Sequence, residues 1–128
     1  MPQTKHSGAA ANRWGRDTAQ KLMALLGAVP SRRGSNEATL ANERIVIKCA
    51  AVNTDSVGVT YLMLDRVNRV FGAFQLDDGS FEVRSLSSAK YRAAMSPTRS
   101  QGPSAGRVGI VKKAVFYADG SLVDRLRV

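Results

Sequence analysis

Residues 43–51, ERIVIKCAA, constrain the fold most. Apolar and polar positions alternate there with the two-residue period of a strand, placing Ile45, Ile47 and Cys49 on one face and Arg44, Val46 and Lys48 on the other. A strand with one wholly apolar face must be covered by another layer, so the chain has to supply both a sheet and something to pack on it. The rest of the sequence offers candidates for each. Residues 17–28 carry Ala19, Leu22, Met23, Leu25 and Leu26 at helical spacing, open on Asp17 and Gln20 as a capping box would, and end near Gly27. Val57, Tyr61, Leu64 and Val67 predict a second helix over 56–68. Residues 69–76 and 80–86, joined by Asp77, Asp78 and Gly79, read as a hairpin whose acidic pair is turn chemistry, and Ser87 as the cap of a short helix reaching Met95.

The segments between these are poorer in signal. Residues 29–42, VPSRRGSNEATLAN, read as a loop with at most one very short strand. Residues 96–106 hold too little apolar surface to order alone and read as a mobile loop. The alternation in 107–117, the Ala118–Ser121 turn and the final LVDRLRV predict a C-terminal β-hairpin. The expected fold class is therefore α+β: a basic flexible tail at 1–16, then a single domain over 17–128 with a mixed β-sheet flanked by helices.

Composition narrows the function. Cys49 is the only cysteine and His6 the only histidine, which excludes a disulfide framework and a Cys/His zinc site. Cys49 shares the apolar face of its strand and reads as a small core residue. No run approaches the length needed to span a bilayer, so the expectation is a cytoplasmic protein without a membrane partner. The net charge of +9 points to anionic partners, and its distribution is uneven: +5 over residues 1–34, −1 over 35–90 and +5 over 91–128. If both ends fold onto one face they form a continuous cationic surface for phosphate backbones. The expected contacts are Arg32, Arg33, Arg99, Arg107, Lys113, Arg125 and Arg127. Arg125 and Arg127 are expected to share a face of the last strand and to approach Lys113 across the hairpin. Trp14 and the three tyrosines form no evident stacking platform.

Residues 34–50, GSNEATLANERIVIKCA, resemble the core of the PD-(D/E)xK nucleases, the restriction-endonuclease-like fold. In that family a helix precedes a loop with an acidic residue, and a strand ending in acid-x-Lys follows. The resemblance implies that two carboxylates hold Mg²⁺ against a scissile phosphate while the lysine positions or activates the attacking water. It places Lys48 at the lysine position and Glu37 at the first acid, as candidate catalytic residues. The middle acid is replaced by Val46. This departure favours a DNA-binding relative whose metal site is degenerate or absent. The alternatives are a Mg²⁺-dependent nuclease with a displaced carboxylate, Glu43 or Asp55, and a structural or interaction subunit that acts as a homodimer.

Overall fold

The computed structural model describes residues 5–97 and 107–128. Helix α1 (Lys5–Leu26) begins well before the predicted start at Asp17, so residues 5–16, expected as a tail, continue the helix. Ala19, Leu22 and Met23 form its buried stripe. Its end follows the predicted signal: Gly27 takes φ +77°, and the Gly27 and Ala28 N–H groups donate to the carbonyls of Ala24 and Met23 at 3.3 and 2.9 Å.

Two short strands occupy the segment expected to be loop, β1 (Val29–Pro30) and β2 (Glu37–Leu40), before β3 (Glu43–Ala50) runs as predicted. β2 and β3 are joined by Ala41 and Asn42, both at positive φ (52° and 66°), the geometry of a two-residue hairpin turn. The predicted helix over 56–68 is half strand. Val57 and Val59 alternate inward in β4 (Ser56–Thr60), and only Tyr61–Arg66 form helix α2, capped by the Thr60 side chain accepting from the Met63 N–H.

β5 (Arg69–Gln75), β6 (Phe81–Ser87) and α3 (Ser88–Ala94), capped by Ser87, follow the expected order. β7 (Ser96–Pro97) opens the segment expected to be a mobile loop; the remaining residues of that segment, 98–106, lie outside those described. The predicted C-terminal hairpin does not form. β8 (Val108–Lys112) pairs with β4 and β7, α4 (Lys113–Asp119) intervenes, and β9 (Ser121–Leu126) joins β6 instead. Burial explains the change of course: as a helix, α4 puts Phe116 wholly inside, edge-on to Phe74 and Tyr91.

The result is a mixed six-stranded sheet in the order β1-β2-β3-β5-β6-β9, with β3 and β5 parallel and the other neighbours antiparallel, and a three-stranded sheet β4-β8-β7. The fold is α+β. Helix α1 covers one face of the large sheet over Ile45, Ile47, Phe71, Phe81 and Val83. The other face, carrying Val46, Val70 and Phe74, is covered by α2, α3, α4 and the small sheet. Gly72 lies under the second layer, where an added Cβ would stand 2.7 Å from Phe74 Cε2 and 3.0 Å from Phe116 Cε1. Tyr91 donates its buried hydroxyl to the Gly109 carbonyl at 2.7 Å, fastening α3 to the small sheet. No helix among the described residues is long and apolar enough to cross a membrane.

Candidate functional site: a cationic cleft at the open edge of β3

β2 pairs with β3 only as far as Glu37 opposite Val46. Beyond it, Asn36 makes a final clasp, accepting from the Ile47 N–H at 3.0 Å and donating through Nδ2 to the Ile47 carbonyl at 3.2 Å. From Lys48 onward β3 has a neighbour, β5, on one side only. Main-chain groups alternate in direction along a strand, so the Cys49 N–H and C=O point the same way as those of Ile47, toward the open side.

A cleft of about 670 Å³ occupies this gap, walled by Trp14 and Arg16 from α1, by the Gly34–Asn36 loop, and by Thr54 beyond the end of β3. Its lining includes two cations, Arg16 and Lys48, and no carboxylate. The loop is pinned in place: the Ser35 N–H donates to the Arg32 carbonyl at 3.0 Å, and Gln20 Nε2 on α1 donates to the Ser35 carbonyl at 2.6 Å. Arg32 and Arg33, just ahead of it, are both exposed. Trp14 packs its ring near Phe81, centroids 6.1 Å apart, and keeps 36% of its surface exposed. Sequence reasoning left Trp14 in a tail. The signal that places it is the continuation of helical spacing ahead of Asp17.

The register brings together part of the expected catalytic set. Glu37 and Val46 are cross-strand partners and therefore share a face of the sheet, and Lys48, two residues further along β3, shares it too. Glu37 is not the solvated loop residue its neighbours suggest. It is buried on β2, where Arg66 from α2 donates to Oε1 at 3.1 Å. Burial lowers the Lys48 ammonium below its ordinary pKa, an effect only partly offset by Cys49. Among the described residues no ion pair involves Lys48. Burial also pushes the Cys49 thiol up to about 12, against the opposing pull of Lys48, so it is protonated at neutral pH and fits a core role.

The donors for Mg²⁺ do not assemble. Val46 leaves Glu37 without a second carboxylate, and Glu43 lies on the opposite face of β3, engaged with Arg69 Nε at 3.1 Å. Asp55 is an exposed residue between β3 and β4 whose carbonyl accepts from the Lys113 N–H. Among the described residues no three Cys, His, Asp or Glu side chains are placed to hold a metal ion. The residues present therefore do not fit the group.

The other expected phosphate contacts are dispersed. Arg107 precedes β8 and Lys113 follows it, so the two stand at opposite ends of a strand, roughly 20 Å apart. Arg125 and Arg127 turn to carboxylates: Arg125 to Glu82 at 2.9 Å and Arg127 to Asp78 at 3.1 Å. With α4 between β8 and β9, neither arginine meets Lys113 across a hairpin; instead Lys113 lies 5.9 Å from the Tyr117 ring. Arg99 lies outside the described residues.

No family model, no curated protein and no solved structure matches this chain. The cleft is accordingly judged on its own chemistry: two lining cations, an accessible indole, an open strand edge and no lining acid.

Proposed function

We propose that this chain is a nucleic-acid-binding protein, with DNA the expected partner, whose contact surface is the cleft at the open edge of β3 and the arginines beside it, and that it binds without cutting. The observation that carries this reading is the segregation of charge. Six ion pairs among the described residues engage Glu37, Glu43, Asp65, Asp78 and Glu82, whereas the cleft lining holds Arg16 and Lys48 with no acid among them. An uncompensated cationic concavity attracts a polyanion and releases its counterions on binding. The place of Glu37, Val46 and Lys48 on one face supports a relation to the PD-(D/E)xK nucleases, and Val46 with the Arg66-bound Glu37 supports a non-cutting relative.

The test is a titration of labelled duplex and branched DNA at about 150 mM salt, where weak surface charge is well screened. Parallel samples contain Mg²⁺, Mn²⁺ or EDTA and are run on native and denaturing gels. A mobility shift with intact strands under all three conditions is the expected result. Cleavage abolished by EDTA overturns the non-cutting assignment in favour of a nuclease with a displaced carboxylate. Absence of any shift overturns the binding assignment itself.

A further inference from the structure

Three features of the cleft have no use in holding a continuous duplex by its phosphates. The first is Trp14, the only tryptophan of the chain, which stands in the cleft wall with 36% of its surface exposed when burial against the core would be more favourable. The second is the open main-chain edge at Cys49, an N–H and a C=O side by side with no strand to pair them. That pattern is the complement of the donor–acceptor edge of a nucleobase, which is available only when the base is unpaired. The third is size: about 670 Å³ lies within the range that small ligands occupy.

We propose that the cleft seats a single unpaired nucleotide of a nucleic-acid strand, its base stacked on Trp14 with its edge against the open strand at Cys49, and its phosphate against Arg16. The inference rests on the nucleic-acid reading above and adds to it a preference for unpaired over paired strands. Aromatic stacking beside a cationic groove is the general means by which proteins hold single strands irrespective of sequence, because every base has a π-face. The pinned Gly34–Asn36 loop keeps its part of the cleft wall in place before the ligand arrives, which limits the ordering cost on binding.

Because Trp14 is the sole tryptophan, the emission of the unmodified protein reports on the cleft directly. The probes are inorganic phosphate, a nucleoside monophosphate, a single-stranded oligonucleotide and the blunt duplex of the same sequence. The monophosphate and the single strand are expected to quench Trp14, phosphate alone is not, and the single strand binds about tenfold more tightly than the duplex, the effect of one stacked base. Trp14→Leu, read by anisotropy of the labelled strands, reduces that preference toward unity. If this variant fails to fold, the wild-type quenching still decides. Equal affinity for single strand and duplex with unchanged Trp14 emission overturns this inference and leaves the general binding assignment standing; no binding to any strand overturns both.

Discussion

An amine desolvated as Lys48 is, with no carboxylate paired to it among the described residues, lowers the stability of the fold that contains it. Replacing it by methionine, of similar length and without charge, is expected to raise the melting temperature at neutral pH and to weaken nucleic-acid binding in the same protein. The sign follows from linkage: the folded-state pKa is lowered, so the unfolded chain binds more protons, and stability rises with pH between that value and the ordinary lysine pKa near ~10.4. The advantage of Lys48→Met in thermal melts therefore shrinks as pH rises through this window. Equal melting temperatures for the two proteins at pH 7 would contradict the account of Lys48.

Glu82 has the opposite balance. Burial raises its carboxyl, but hydrogen bonds from Tyr117, Arg84 and Arg125 outweigh this and hold it below its ordinary value. The carboxylate thus stabilises the fold above the unfolded pKa of about 4.3, and the contribution is lost as pH falls through the lower folded value. Glu82→Gln should cost about 1–3 kcal/mol at pH 7 in denaturant unfolding. Its stability should also fall less than that of the wild type as pH falls below about 4.

At the level of elements, the strands of the central sheet with a strong alternating or continuous apolar run are legible, and those set by partners far along the chain are not. β3, β5, β6 and the Ser87-capped α3 follow the sequence pattern to within about two residues at their ends. β2 was hidden because its turn is Ala41–Asn42 and not the Asn-Gly that marks a two-residue hairpin. The structure nonetheless places both residues at positive φ, which disfavours a residue with a Cβ, alanine most. Changing Ala41–Asn42 to Asn-Gly should raise the unfolding free energy by about 1 kcal/mol; no gain on chemical denaturation would argue against this turn. β4 reads as helix in the sequence because Val57 falls four residues before Tyr61, continuing the helical spacing of Leu64 and Val67 back into what is a strand. At the start of α4, residues 112–117 (KKAVFY) carry both periods, and contacts of Phe116 with Phe74 and Tyr91 select the helix. Gly120 ends that helix where an added Cβ would meet the Phe116 carbonyl oxygen at 2.5 Å and the Ser85 oxygen at 2.7 Å. Because both obstacles are backbone, Gly120→Ala should destabilise by about 1–3 kcal/mol in the same assay.

For the whole molecule, the charge totals along the chain were legible but their placement was not. Glu37 and Lys48 are singled out by the resemblance to the PD-(D/E)xK motif, and the register of β2 against β3 puts them on one face. The grouping of Lys113 with Arg125 and Arg127 depends on a terminal hairpin, and the insertion of α4 disperses them. The cleft itself, with Trp14 and Arg16 drawn from a segment read as a tail, exists only once α1 crosses the sheet. In the proposed function, this cleft and its neighbouring arginines carry the phosphate contacts.

The measurement that tests it most directly is the salt dependence of DNA affinity for the wild type, for Arg16→Ala combined with Arg32→Ala and Arg33→Ala, and for Arg44→Ala, an exposed residue near the opposite end of β3. Each lost phosphate contact flattens the logarithmic slope of affinity against salt by about 0.9. The expected result is a slope shallower by roughly two to three in the triple variant and an unaltered slope in Arg44→Ala. Equal slopes for the wild type and the triple variant, or a loss confined to Arg44→Ala, would contradict it.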